Sequence, residues 1–309
     1  MKSYKIKFPH GIMFHHFHGK NHPIVQGSIG KENLCNIIEF IGIDNILNAD
    51  EWAHKFQNHT LKSNQVCLTF DDALKSQVDI ALPILRSYGL TGFFFIYSSI
   101  FEGVKENLEI YRYFRTTQFS SIEDFYEDFF NYLKKIPIFD KIQNKLKNFN
   151  STEYLKNYTF YSKSDKKFRY IRDEILTKKE YFTIMDIIIE ESKINLKTIY
   201  KKLWMSEKEL KKINKNNHVI GLHSYSHPTK FSSLSYKDQN EEYEKNKKHL
   251  EKITPKIFAM SHPVNSYNQN TLKILKNLDV TIGFRADMNP MKSNLEIPRQ
   301  DHSIITSML

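Results

Sequence analysis
Only two cysteines, Cys35 and Cys67, occur in the 309 residues, which excludes a disulfide framework. Cys67 lies inside an apolar strand pattern, so both are read as reduced packing residues of a cytoplasmic protein. No run of eighteen apolar residues exists, and no membrane-spanning helix is expected. Residues 1–11 carry basic side chains without an apolar stretch or a small-residue cleavage site, so no signal peptide is expected. Internal repeats, low-complexity tracts and Pro/Gly/Ser linkers are missing as well. What remains is 40% apolar and 26% charged, enough apolar mass for a sizeable core. The net charge of +10 favours anionic partners. Lys, Asn, Ile and Phe are all abundant together, however, so the charge belongs to the whole chain and not to one patch. No nucleic-acid motif accompanies it, and nucleic acid is not an expected partner.

Short apolar runs at 11–14, 66–70 and 92–97 read as strands. Between the last two, residues 77–88 have helical spacing through Ile80, Leu82 and Leu85, which suggests a βαβ unit with parallel strands. Residues 105–212 change texture: aromatic-rich helical stretches such as 122–133 and 179–189 dominate, with few strand signals. Alternation then resumes with strand 219–222, helix 236–252 behind a Ser235-x-x-Asp238 capping arrangement, strand 257–260, helix 270–278 and strand 280–284. The pattern predicts an α/β protein. A single domain over residues 1–309 would form an irregular (β/α) barrel, interrupted by a helical insertion at 105–212.

In such barrels chemistry collects where strands end. Four ends are followed by reactive residues: Phe14, Phe70, Leu222 and Met260. Asp71 and Asp72 can divide labour, one binding a metal and the other taking a proton from water; the plain alternative is a turn in which Asp72 caps the next helix. His223 and His227 meet on one side if their loop opens a helical turn, and two histidines with one carboxylate suit an open catalytic metal site. A pair of surface histidines is equally compatible with H-x-x-x-H alone. His15 and His16, among His10, His18 and His22, offer a general acid or merely a polar loop. Residues 261–268 form a loop whose N–H groups can face an oxyanion, or a simple turn. Arg299, just beyond a strand pattern, can hold a carboxylate ionised, or lie on the surface.

Taken in order, these segments resemble the polysaccharide deacetylases (carbohydrate esterase family 4). The family's T-F-D-D stands whole at Thr69-Phe70-Asp71-Asp72, its histidine motif resembles His223-Ser224-Tyr225-Ser226-His227, and its third loop resembles Pro263-Val264-Asn265-Ser266-Tyr267-Asn268. The likeness covers the first and last thirds of the chain. It implies Asp71 as base and Asp72, His223 and His227 as ligands of a divalent metal, most commonly Zn2+. The backbone N–H of Val264 would hold the oxyanion, with Pro263, Tyr267 and His16 lining the substrate site. Ser261 stands where the third motif often has an arginine; a subset of relatives has a late Pro-Arg instead, which Pro298-Arg299 resembles, and this assigns Arg299 to orienting the base. The same subset carries its acid histidine in an N-terminal L-M-Y-H-like segment. Ile12-Met13-Phe14-His15 looks similar, so His15 is expected as the acid, with His16 second and His302 third.

The resemblance implies hydrolysis of an N-acetyl group from an amino sugar. With no export signal read, a cytoplasmic nucleotide- or lipid-linked precursor of a bacterial surface glycan is the expected substrate. Peripheral membrane contact is allowed by the charge, and oligomeric state is left open. Two rivals stand beside it: a metal-dependent amidohydrolase acting on a small non-sugar amide, and a sugar-binding homologue without turnover. The insertion would be a lid, a substrate-selecting lobe or a dimer contact.

Overall fold
The structure, a computed structural model, describes residues 4–104, 106–156 and 161–309, without the side chains of 196–197. Lys105, the expected first residue of the insertion, lies outside them. Two compact units divide the chain, one of residues 1–106 and 201–309, the other of residues 107–200. Residues 201–212, read from the sequence as part of the insertion, therefore pack with the strand-bearing unit.

Seven strands build that unit: β1 (His10–Phe14), β2 (Val66–Asp71), β3 (Gly92–Ile96), β4 (Val219–Leu222), β5 (Ala259–Ser261), β6 (Ile282–Phe284) and β7 (Arg299–Asp301). All pair in parallel in the order β6-β5-β4-β3-β2-β1-β7. Ile297, two residues ahead of β7, bridges to Phe284 of β6, so the sheet curls into a nearly closed barrel. Strand geometry sends alternate side chains to opposite faces. Ile12, Phe14, Leu68, Phe70, Phe94, Ile220, Leu222 and Met260 face outward into the main core under the helices. Cys67, Phe93, Phe95, Val219, Ala259, Ile282, Phe284 and Ile297 fill the interior together with Trp52 of helix Ala49–Gln57. The same alternation, continued upward, turns Thr69, Asp71 and Ser261 into the barrel mouth. Gly11 also faces inward: a Cβ there would stand 3.0 Å from Arg299 Cγ and 3.1 Å from Thr69 Cγ2, so its bareness admits the arginine.

Helix boundaries follow the local chemistry. Ser235 accepts a hydrogen bond from the Asp238 N–H and opens helix Tyr236–Leu250, as the sequence predicts. The stretch after β2 departs from a plain helix: it runs as a π-turn over Gln77–Ala81 before helix Leu82–Ser87. The second unit is helical, including Asn107–Thr117, Ile122–Leu133, Phe139–Leu146, Lys163–Tyr170 and Lys178–Glu191. Its interior is aromatic, with Phe125, Tyr126, Phe129, Phe168 and Tyr181 buried together. No helix among the described residues is long and apolar enough to cross a membrane.

Candidate active site
At the C-terminal mouth of the barrel, Asp71 ends β2 and Arg299 opens β7, inside the strand and not beyond it as the sequence reading had it. Gly11 pairs with both Arg299 and Cys67, so the arginine starts low in the barrel and reaches up to Asp71. Its guanidinium grips the carboxylate with both forks, Nη1 to Oδ1 at 2.7 Å and Nη2 to Oδ2 at 2.8 Å. Nη1 also donates to Thr69 Oγ1, Nη2 to Ser261 Oγ at 2.7 Å, and Nε to the Arg285 carbonyl. All five donors of a fully buried arginine are thereby used. Burial, the largest single influence, would raise the Asp71 pKa, but the charge and hydrogen bonds of Arg299, with His223 and His15 beside it, together hold the carboxyl below the usual range.

Asp72 sits one residue past the strand with φ of 78°, followed by Ala73 at 55°, a left-handed turn that aims the side chain away from Asp71. It caps no helix; its Oδ1 is buried and has no hydrogen-bond partner. Two histidines face that oxygen, His223 Nε2 at 3.4 Å and His227 Nε2 at 3.5 Å. Their loop is not the helical turn foreseen for an i, i+4 pair. Ser224 and His227 both take left-handed backbone angles, φ 60° and 53°, and this folds the two rings to 4.9 Å between centroids. Glu242 of helix Tyr236–Leu250 secures the turn, accepting from the Tyr225 and Ser226 N–H groups and from the Ser226 hydroxyl. Asn246, one helical turn on, accepts from the His223 N–H and donates to the Ile96 carbonyl and to Ser98.

The donor chemistry of this cluster fits a divalent metal. His223 Nδ1 donates to the Ser261 carbonyl at 2.9 Å, which fixes the tautomer and leaves Nε2 with a lone pair in the neutral ring. A lone pair then opposes a carboxylate oxygen at a distance beyond ordinary hydrogen bonding. Ligands at about 2.1 Å around a tetrahedral centre lie about 3.4 Å apart, which the two histidine–Asp72 distances match. Among the described residues, Asp72, His223 and His227 form a group suited to holding an ion. Burial disfavours a charged His223, but the Asp71 and Asp72 carboxylates prevail and raise its pKa. Asp72 itself is held well below the usual range: burial opposes this, and the surrounding imidazoles overcome it. Both shifts say that the gap attracts positive charge.

His15 follows β1, with Nε2 3.7 Å from Asp71 Oδ2 and 31% of its side chain exposed. Burial lowers its pKa, with Asp72 and Asp71 working against that. Gln77 ties the two strand ends together, donating to the Asp71 and His15 carbonyls. His16 stacks loosely on His15, 6.5 Å between rings. His302 is buried against Phe14, its ring nitrogens facing the Met13 and Gly27 carbonyls, so its contacts are structural ones. In the loop after β5, Pro263 is buried and Val264 is exposed with φ of 51°, a left-handed angle that is costly for a β-branched residue. Tyr267, half-buried, lies flat on His262 and donates to Glu296. The sequence assigns no role of their own to Thr69, Gln77, Glu242 and Asn246. The stripe Gln239, Tyr243, Asn246, Leu250 on one helical face, polar members included, was a usable sign of a buried polar task.

A family model described as polysaccharide deacetylase matches residues 136–283, a little under half of the chain. The match takes in His223, His227 and the loop after β5 and leaves Thr69–Asp72 and Arg299 outside. The helical stretch on which the motif resemblance is silent falls partly within it. Among solved structures, the chain resembles the Streptococcus pyogenes deacetylase PplD in complex with acetate, at 14% identity and TM-score 0.56, covering 96% of this chain and 92% of that one. IcaB from Ammonifex degensii is similar at 11% identity and TM-score 0.57, covering 97% and 96%. The polysaccharide deacetylase BC0361 from Bacillus cereus matches at 11% and TM-score 0.52, covering 95% of this chain and 64% of that one. At these identities the likeness establishes the fold. No curated protein sequence matches.

Proposed function
We propose that this chain, a relative of the polysaccharide deacetylases by family model and by fold, hydrolyses the N-acyl group of an amino sugar with a divalent metal, zinc by preference. The observation that carries the reading is the buried, unpartnered Asp72 Oδ1 facing the Nε2 atoms of His223 and His227 at tetrahedral spacing. When bound there, the metal supplies a Lewis acid for the amide carbonyl and brings the pKa of water toward neutrality.

The chain's own residues supply the rest. Asp71 takes a proton from the attacking water through Oδ2, the oxygen nearer to His15 and His223. Arg299 and Ser261 hold that carboxylate ionised and fixed in orientation. His15 gives a proton to the nitrogen as the C–N bond breaks, in the manner of relatives with an N-terminal acid histidine; acetate and a free amine leave. The acetate in the S. pyogenes structure has the chemistry of that product. The N–H of Val264 meets the developing oxyanion, which gives its strained backbone angle a purpose.

The +10 charge suits a phosphorylated carrier, so the substrate we favour is a nucleotide- or lipid-linked precursor handled in the cytoplasm, with peripheral membrane contact for the lipid-linked form. Metal analysis of the purified protein, with acetate release from N-acetylated nucleotide sugars and chitooligosaccharides, tests the reading. Stoichiometric metal and chelator-sensitive release are expected. Bound metal without release from any sugar would favour a non-sugar amide, and failure to take up metal would favour a sugar-binding homologue.

A further inference from the structure
We propose that Gln77, seconded by Ser76, is the positioning residue that sets the acid His15 against the base Asp71. This rests on the hydrolase reading above, in which the two residues act on one amide. Base and acid then work at the two ends of a single C–N bond, so their separation must be held closely; a misplacement of about 1 Å costs on the order of 10²-fold in rate. Asp71 is fixed by Arg299 and by its place at the end of β2. His15 has neither support. It follows the last residue of β1, 31% of its side chain is exposed, and at 3.7 Å its Nε2 is beyond ordinary hydrogen bonding to Asp71 Oδ2. The base does not hold the acid, so the acid's place depends on the backbone that carries it.

Two side chains from the stretch after Asp72 hold that backbone. Gln77 is fully buried, and its Nε2 donates to the His15 carbonyl at 3.0 Å and to the Asp71 carbonyl at 2.6 Å. One amide nitrogen thus joins the backbones of acid and base directly. Only the NH2 end of the side chain can serve two acceptors, which fixes the orientation of the amide. Its Oε1 is buried with no hydrogen-bond partner among the described residues, so these two bonds are all that the side chain makes. Ser76 adds a second tie two residues along the acid's segment, where the Phe17 N–H donates to its Oγ at 3.3 Å. Between them the His16 carbonyl accepts from the Ile29 N–H at 3.2 Å. The segment that carries His15 is therefore held from the base's own side by Gln77 and Ser76, and the shorter route from one catalytic backbone to the other runs through the Gln77 amide.

The zinc-loaded full chain is assayed with N-acetylchitotetraose, with a nucleotide-linked N-acetylglucosamine, and with 4-nitrophenyl acetate, whose leaving phenolate needs no proton donor. Ester turnover is counted as the part that Asp71→Asn abolishes. Gln77→Met keeps the length of the side chain and removes both donors. It should lower kcat on the amide about 10–10²-fold and leave KM and ester turnover within about twofold. Because the loss acts through His15, the double variant with His15→Ala should be no slower than His15→Ala alone. An equal loss on amide and ester, or losses that multiply in the double variant, would overturn the proposal and reduce Gln77 to a support of the whole centre. A crystal structure of Gln77→Met reads the geometry without a substrate. The His15 ring should be withdrawn from Asp71 by about 1 Å or more, and an unmoved ring would overturn the proposal. A displaced ring in a protein that releases acetate from no amide would keep the positioning and remove the hydrolase reading. If Gln77→Met does not fold, Ser76→Ala, which releases the Phe17 N–H, should show the same selectivity for the amide at a smaller loss, and an equal loss on both substrates would again overturn the proposal.

Discussion

Replacing Arg299 by methionine removes one charge and five hydrogen-bond donors while keeping most of the stem's volume. The arginine is 1% exposed, and Asp71, its bidentate partner, is 2% exposed. In the variant the carboxylate would keep only the Ser261 hydroxyl at 3.2 Å. Breaking a buried pair from one side costs about 3–5 kcal/mol, because the remaining charge is stranded in a medium that solvates it poorly. Against a typical net stability of about 5–15 kcal/mol that loss is readily seen. Urea unfolding followed by circular dichroism, with a chelator present so that metal binding adds nothing, gives the number. The decisive comparison is the cycle with Asp71→Asn. Each single change strands a charge on the other residue, whereas the double variant strands none, so the two losses should fall short of additivity by about 2–3 kcal/mol. A loss below about 1 kcal/mol for Arg299→Met, or additive losses in the cycle, would refute the buried pair as described.

Three further expectations concern the site and the barrel wall. His223→Ala and His227→Ala should each lose metal and activity together, while Asp71→Asn should keep its metal and lose turnover; normal metal content in both histidine variants, read by atomic emission, would remove the ligand set. His15→Ala should lower kcat by about 10²–10⁴-fold at unchanged metal content, the usual yield of a positioned acid, and an unaffected rate would send the acid role elsewhere. His218, buried with Nδ1 accepting from the Gly92 N–H, has its pKa pushed down to about 4 by burial. Its folded value lies below the unfolded one of about 6.5, so the unfolded chain binds more protons between them. Stability should therefore fall as the pH drops through that window, by at most about 3 kcal/mol from this residue. Unfolding free energies at pH 7.5 and 4.5 should differ less in His218→Asn than in the natural chain, and an equal difference would clear His218 of the effect.

The alternation of side chains made much of the fold readable. Runs such as Phe93-Phe94-Phe95 are apolar on both faces, as strands of a barrel must be when one face meets the interior and the other meets helices. The same parity set Asp71 and Ser261 at the mouth. What escaped the sequence is geometry made by rare backbone angles and distant partners. An i, i+4 histidine pair reads as a helical turn because that is the common way to bring such residues together. Here left-handed Ser224 and His227 achieve it; histidine visits that region more often than most residues, but serine gives no such sign. Glu242 and Asn246 sit on a helix rich in lysine and glutamate, where a polar residue reads as solvated until the loop it holds is known.

Ser261 shows why the arginine could be placed only by resemblance. In the third family motif an arginine often stands at that position, and its replacement by serine looks like a loss. The structure gives a different account: a serine ending β5 leaves room at the mouth, and Arg299 of β7 fills it, resting one nitrogen on the Ser261 hydroxyl and both forks on Asp71. Gly11 makes the same allowance lower down, since a side chain there would meet the arginine stem. Serine, glycine and arginine, far apart in the chain, thus serve one requirement: a fixed positive charge behind the Asp71 carboxylate. That requirement belongs to a point in space, which several strands can reach, and so a motif read along a single segment finds it missing.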